Sequence, residues 1–305
     1  MYVYRATAAA TDQHAAPSNS KHRTGSDPPG ELVLAQVVFR HGARTPLSNA
    51  YWPDAPWTHC SIAHLGSINI SLYDADGGPK PPPIPDAGTT PILPGGCRMG
   101  MLTNNGYNMA LQLGRRLRER YIVRHRLLPP RYGVPASGRS FPASASTPLL
   151  AETTASQRTV LTLQGVLSGL YPAGFVAKGV AVPVACRKAA QEIMVGGNAT
   201  CPVLPLLIAP MQALQDEQVS RDPQLQRLAA RVHSELQLPA GTPVSWGRLR
   251  DTLACMAAEG KLPPGALQLL PLIDTIATKL KLEVAFPDPA VSAASLAYLH
   301  QQPCI

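Results

Sequence analysis

Residues 32–46 read LVLAQVVFRHGARTP, and the interpretation of the whole chain starts from this stretch. Its first part, 32–39, is an apolar run interrupted by a single glutamine, which is typical of a buried β-strand. Its second part places Arg40, His41 and Arg44 directly after that strand, where α/β sheets usually bind their ligands. The stretch therefore predicts a strand followed by a ligand-binding turn.

The residue types in this turn indicate an anion site that contains a nucleophile. Arg40 and Arg44 offer forked guanidinium donors that match phosphate oxygens. An imidazole between two guanidiniums should have a lowered pKa, so we expect His41 to stay unprotonated below neutral pH and to pass a phosphoryl group through its nitrogen. The alternative is a solvated surface loop, the usual setting of an arbitrary Arg-His pair.

The complete string RHGARTP after an apolar strand resembles the signature of the histidine acid phosphatases, a branch of the histidine phosphatase superfamily that uses a phosphohistidine intermediate. A second segment, GMLTNNGYNMALQLGRRLRERY, resembles another landmark of this family, and the strongest resemblance is to its lysophosphatidic acid phosphatase type. The resemblance implies that His41 is the nucleophile and that Arg40 and Arg44 bind phosphate. It implies neither a metal nor an organic cofactor.

The fold that this resemblance implies is α/β, with a central, mostly parallel sheet flanked by helices, a phosphoglycerate-mutase-like core and a helical cap insertion. The polar, biased composition of residues 1–30 predicts a disordered tail. We assign 31–172 to the α/β phosphatase core, 173–264 to the helical cap and 265–305 to a partial return to the core, whose C-terminal part we expect to be missing.

Apolar residues recur at helical spacing in five segments, each of which predicts a helix. The first has Thr103 as its expected N-cap, and its arginine-rich end is favourable at a helix C-terminus. The predicted segments are 104–121, 156–172, 221–238, 246–258 and 265–282.

Two landmarks of the family are altered in this chain. The third is an Arg-Ser/Thr-Thr tripeptide, which reads Glu152-Thr153-Thr154 here, so the third phosphate-binding arginine of the family falls on Glu152. A carboxylate there would repel the phosphoryl group, and losing one cationic donor commonly costs about 2.7–4 kcal/mol of transition-state stabilisation. The fourth is a His-Asp pair that supplies a second phosphate-contacting histidine and the acid for the leaving alcohol. It has no counterpart, since His300 is followed by Gln301.

The net charge and the hydropathy of the chain limit the kinds of partner that it is expected to bind. The net charge of +8 suits an anionic substrate or surface, but no Lys/Arg-rich block is interleaved with aromatic residues, which argues against nucleic acid. No apolar stretch is long enough for a membrane span or a signal-peptide core, so we expect a soluble protein. Arg5 and Arg23 fit an organellar transit peptide, whereas Asp12 and Asp27 do not. The compartment and the oligomeric state stay open.

The six cysteines are widely scattered, without the close spacing of a zinc or redox site. Six cysteines allow three disulfides, and several members of the resembled family are disulfide-bonded. In the absence of a signal-peptide core, free thiols are the favoured prediction.

The sequence thus predicts a hydrolase: an acid phosphatase that dephosphorylates small phosphate monoesters, with lysophosphatidic acid as a candidate lysophospholipid substrate. The alternative is a truncated or inactive family member that acts at most as a weak binder of phosphate compounds, because of Glu152 and the absent His-Asp pair. Phosphotransfer of the phosphoglycerate mutase type is disfavoured, because RHGARTP together with the LTNNG segment is typical of the acid phosphatase branch.

Overall fold

The computed structural model describes residues 2–7, 32–61, 68–78, 90–134, 149–188, 191–192, 194 and 204–285. Within these residues there are five strands, six α-helices and one π-helical turn. The strands are β1 (Tyr2–Thr7), β2 (Leu34–Phe39), β3 (Ile70–Asp74), β4 (Leu149–Thr153) and β5 (Val182–Cys186). The helices are α1 (Asn104–Arg118), followed by the π-helical turn (Glu119–Arg124), α2 (Gln157–Leu170), α3 (Leu204–Arg221), α4 (Pro223–Glu235), α5 (Trp246–Ala258) and α6 (Ala266–Ala285).

The strands form one sheet in the order β2-β1-β4-β5-β3. Strand β5 pairs in parallel with both β3 and β4, whereas β1 is antiparallel to both β2 and β4. The other four described strands therefore run in one direction, and their carboxyl ends share one edge of the sheet. This arrangement, with helices packed against the sheet, confirms the predicted α/β class.

Strand β1 lies inside the segment 1–30, for which the composition predicts a disordered tail. The prediction is wrong for Tyr2–Thr7, which pairs with β2 along its whole length and with β4 along most of it. These six residues, YVYRAT, are rich in the aromatic and β-branched types that favour strands. The polar composition of the rest of the segment concealed this preference. Residues 8–31 lie outside the described part of the chain.

The stretch 32–39 contains β2, so the predicted strand is confirmed, but its predicted burial is not. Ala35 is buried, whereas Leu34 and Val38 remain more than two-fifths exposed. Strand β2 ends the sheet and packs on the core with one face only, so alternate side chains point outward.

The main hydrophobic core lies between the sheet and the helices α1 and α2. These two helices approach closely at glycines: a Cβ atom on Gly114 would lie 2.0 Å from the carbonyl oxygen of Val166, and one on Gly169 would lie 2.2 Å from that of Leu111. The predicted N-cap is confirmed, since the Thr103 hydroxyl accepts a hydrogen bond from a backbone N–H of the first turn. Both helices therefore begin at the edge of the sheet where the carboxyl ends of β2 to β5 lie.

A second core joins the helices α4, α5 and α6. Helix α6 packs on α5 and α3, with Leu269, Ile273 and Ala277 buried in this second core. For the segment 265–305 the sequence predicts a partial return to the core, whereas its described part, as far as 285, packs on the cap helices. None of the described helices combines the length and the apolarity needed to cross a bilayer.

The predicted helices of this region correspond to α4, α5 and α6, but the sequence did not predict α3. Helix α3 contains Pro210 in its interior, and a proline there removes a hydrogen bond and normally indicates the end of a helix. The tertiary contacts with α6 and α4 outweigh this local signal.

A disulfide between Cys60 and Cys97 closes the loop that follows the RHGARTP stretch, with Cα atoms 5.9 Å apart. The prediction of free thiols is therefore wrong for these two residues, because the fold brings together cysteines 37 positions apart. Cys186 and Cys255 are free and buried. The remaining two cysteines lie outside the described residues.

Candidate active site

The turn that carries the predicted site leaves the carboxyl end of β2 and rests on the start of α1. A Cβ atom on Gly42 would lie only 2.2 Å from the carbonyl oxygen of Gly106, so no larger residue fits at this crossing without movement. The carbonyl oxygen of Ala43 accepts hydrogen bonds from the backbone N–H of Thr103, at 3.0 Å, and from its hydroxyl, at 3.2 Å. The N-terminus of α1 thus fixes the backbone of the turn.

Helix α2 holds the same turn from its other side. The backbone N–H of Gly42 donates to the Thr162 hydroxyl at 3.2 Å, and this hydroxyl donates to the carbonyl oxygen of Arg158 at 2.7 Å. Both α1 and α2 therefore begin at the turn. A helix N-terminus carries a partial positive charge and is a favourable place for an anion.

The imidazole of His41 is half-buried and has a defined orientation. Its Nδ1 lies 2.9 Å from the carbonyl oxygen of Gly42. Because a carbonyl oxygen can only accept, the neutral ring carries its proton on Nδ1 and keeps the lone pair on Nε2. The geometry therefore leaves Nε2 as the nucleophilic atom.

The pKa of His41 is lowered to about 4. The largest cause is burial of the ring, which disfavours the charged imidazolium; the hydrogen bond to Gly42 opposes this effect, and the positive charges of Arg40, Arg44 and Arg158 add to it. The predicted direction of the shift is thus confirmed, although burial contributes more than the arginines. The imidazole is neutral over most of the acidic range.

We expect a titration of His41 by nuclear magnetic resonance to show a midpoint near pH 4 instead of near 6.5. Arg158→Gln should move the midpoint upward, because it removes one of the charges that disfavour the imidazolium. A His41 midpoint at or above its ordinary value of 6.5 would contradict the described environment.

The charges of three arginines act on His41, and the RHGARTP motif contains only two of them. Arg40 is exposed, Arg44 is buried and Arg158 is half-buried in the first turn of α2. All three act electrostatically on the His41 ring. The signal that could have identified Arg158 is the string SQRT at the start of the predicted helix 156–172.

The guanidinium of Arg44 is paired with a carboxylate from the cap. Its Nη2 donates to Oδ1 of Asp251 at 2.5 Å, and its Nη1 donates to Oδ2 at 3.2 Å. Nη1 also donates to the carbonyl oxygen of Thr45 at 3.0 Å and contacts Sγ of Cys255 at 3.5 Å. No sequence pattern identified Asp251, which lies 207 positions from Arg44 in the chain.

Helix α5 forms one wall of the site. Asp251 and Cys255 are one helical turn apart and lie on the side that faces the turn, and Glu259 caps the C-terminal end of α5. Oε1 of Glu259 accepts from the Thr103 hydroxyl at 2.7 Å. Helix α5 thus contacts the turn through Asp251 and the N-cap of α1 through Glu259.

Burial raises the pKa of the Cys255 thiol to about 12, which makes it a poor nucleophile.

The carboxylate of Glu152 forms an ion pair with Arg187, which follows the neighbouring strand β5 and whose Nε also lies 3.6 Å from Oδ1 of Asp76. The repulsion of a phosphoryl group by Glu152 stays a prediction. A third cation that acts electrostatically on His41 is Arg158.

The described ranges contain no group of three or more His, Cys, Asp or Glu side chains that could hold a metal ion. The absence of a metal and of an organic cofactor stays a prediction. His300 and Gln301, where the family landmark is interrupted, lie outside the described residues.

An α/β fold whose carboxyl edge presents a neutral histidine among arginines defines a class of phosphate-handling proteins. The sequence model of the histidine phosphatase superfamily (branch 2) matches residues 31–241. The chain belongs to this family.

Similar proteins agree with this assignment. Counting factor 60 of Dictyostelium discoideum is 29% identical over 186 residues, or 58% of this chain and 42% of that protein. Lysophosphatidic acid phosphatase type 6 of Bos taurus is 35% identical over 97 residues, or 30% of this chain and 23% of its own length. 2-Phosphoxylose phosphatase 1 of Danio rerio is 28% identical over 257 residues, or 77% of this chain and 45% of that protein. The matched part thus spans less than half the length of each of these relatives.

Proposed function

We propose that this chain is a phosphatase that hydrolyses phosphate monoesters through a phosphohistidine at His41. The observation that carries the proposal is the environment of His41: its Nδ1 is bound to the Gly42 carbonyl oxygen, which leaves the Nε2 lone pair available for attack, and the positive charges of three arginines act on the ring. Arg40 and Arg44 bind the non-bridging phosphate oxygens, and Arg158 adds to their positive potential.

The reaction proceeds in two displacements. The lone pair of His41 Nε2 attacks phosphorus, the ester P–O bond breaks, and its electrons go to the leaving oxygen, which takes up a proton from solvent. Water then attacks the phosphohistidine and releases a proton to solvent, the P–N bond breaks, and its electrons return to Nε2 as inorganic phosphate leaves. The lowered pKa of His41 supports the first displacement, because the ring is already unprotonated at pH 5.

The substrate class rests on the relatives. The names of two of them specify lysophosphatidic acid and 2-phosphoxylose, which are both phosphate monoesters. We propose lysophosphatidic acid as the first candidate, because the Bos taurus relative has the highest identity of the three reported above, although over the shortest stretch. A sugar phosphate is the second candidate, supported by the longer match to the Danio rerio relative.

Phosphate release near pH 5 tests this function. The purified chain is incubated with an aryl phosphate monoester, the matching aryl diester, lysophosphatidic acid and a sugar phosphate. We expect release from the monoesters and none from the diester, with the aryl monoester hydrolysed fastest because its leaving group needs little help from a general acid. A folded chain that releases no phosphate from any monoester would overturn the proposal.

The competing function is weak binding of phosphate compounds without turnover. It is favoured by Glu152, which stands where the family has its third phosphate-binding arginine. Titration of the same protein with inorganic phosphate separates the two functions: binding together with hydrolysis supports the enzyme, and binding without hydrolysis supports the inactive binder.

A further inference from the structure

The guanidinium of Arg44 has two hydrogen-bonding edges, and they differ in their partners. The end-on edge, formed by Nη1 and Nη2, is occupied by the two carboxylate oxygens of Asp251. The side-on edge, formed by Nε and the second proton of Nη2, is different: Nε is buried and has no hydrogen-bond partner among the residues that the structure describes. A buried donor without an acceptor is costly, so this edge is suited to a ligand.

The charge of Arg44 reaches the place of reaction, because it acts on the His41 ring and helps to lower its pKa. The guanidinium that Asp251 holds by its end-on edge is therefore within electrostatic range of the imidazole. Asp251 also accepts, at 3.4 Å, from the backbone N–H of Leu47, which ties the carboxylate to the segment after the turn.

We propose that Asp251 is a positioning residue: by holding the end-on edge of Arg44, it turns the Nε–Nη2 edge toward the phosphate bound at His41. The cap helix α5 thus takes part in phosphate binding without touching the phosphate. This inference rests on the proposed function, since it assigns a role within the same site. It goes beyond the family match, which does not identify any residue of α5 as part of the site.

The opposite role is a clamp, in which Asp251 competes with phosphate for Arg44. The two roles predict opposite signs for one substitution. If Asp251 positions Arg44, Asp251→Asn disorders the guanidinium and weakens phosphate binding. If Asp251 competes, the same substitution strengthens binding by removing the rival anion.

The experiment measures the Kd of inorganic phosphate by calorimetry for the wild type, Asp251→Asn, Arg44→Gln and the double variant. We expect Asp251→Asn to raise the Kd about tenfold, as is usual for hydrogen bonds to charged groups. In the Arg44→Gln background it should have no further effect, because Asp251 acts through Arg44. A merely structural role in docking α5 would weaken binding equally in both backgrounds and would overturn the inference.

Two further variants serve as controls. Asp274→Asn breaks the half-exposed ion pair that Asp274 makes with Arg250 between α6 and α5, and should leave the phosphate Kd unchanged. Asp251→Glu keeps the charge but displaces the carboxylate, and should give an intermediate Kd if Asp251→Asn proves too unstable to titrate. An unchanged or lower Kd in both Asp251 variants refutes the positioning role but not the proposed function. A wild type that binds no phosphate refutes this role and the proposed function together.

Discussion

His41→Ala is expected to abolish phosphate release, by on the order of 10⁴-fold or more in kcat, because it removes the atom that accepts the phosphoryl group. No neighbouring group among the described residues can replace it readily: the Cys255 thiol is buried with a raised pKa, and the arginines cannot act as nucleophiles. The measurement is steady-state release of phosphate from the aryl monoester near pH 5. His41→Asn, which keeps a polar side chain of similar length, should be equally inactive.

The matched control for this prediction is His59→Ala. His59 is exposed, and its contact with α1 is made by its backbone carbonyl oxygen, which accepts from Asn104 N–H and does not depend on the side chain. It should keep wild-type activity. Turnover in a folded His41→Ala protein comparable to that of His59→Ala would exclude a reaction through His41.

Gly42→Ala has the second largest expected effect. Its new Cβ would lie 2.2 Å from the Gly106 carbonyl oxygen, so either the turn or the start of α1 must move. Overpacking of this kind typically costs about 1–3 kcal/mol of stability. A displacement of about 1 Å between reacting groups costs on the order of 10²-fold in rate. We therefore expect both a lower Tm and a loss of about two orders of magnitude in kcat/KM.

The control for this substitution is Gly247→Ala, in the first turn of α5. No heavy atom lies within 4 Å of a Cβ at that position, and alanine is a better helix former than glycine. The variant should be as stable as the wild type or slightly more stable, with unchanged activity. A Gly42→Ala protein that matches it in Tm and in kcat/KM would mean that the turn does not rest on α1 as described.

Local signals in the sequence predicted much of the fold. The apolar run before Arg40 predicted β2, and the threonine of LTNNG predicted the start of α1, because a hydroxyl that caps the first turn is a short-range preference. Periodic apolar residues predicted α2 and three of the four described cap helices. The same logic failed at α3, where Pro210 hides a helix that packing with α6 stabilises.

The features that the sequence missed depend on contacts between distant segments. The short strand β1 owes its order to pairing with β2 and β4, and the Cys60–Cys97 bond depends on a loop brought together by the fold. In the site, His41 and the arginines that flank it could be named from one motif. Asp251 could not, because its importance comes from where α5 places it and not from its neighbours in sequence.

Capture of the intermediate tests the central claim most directly. The chain is mixed rapidly with an aryl phosphate, quenched in alkaline detergent, which preserves phosphohistidine, and examined by mass spectrometry beside His41→Ala. The expected result is an adduct of about 80 Da, one phosphoryl group, on the peptide that contains His41, and none on the variant. Turnover without any adduct, or an adduct on another residue that persists in His41→Ala, would contradict phosphoryl transfer through His41.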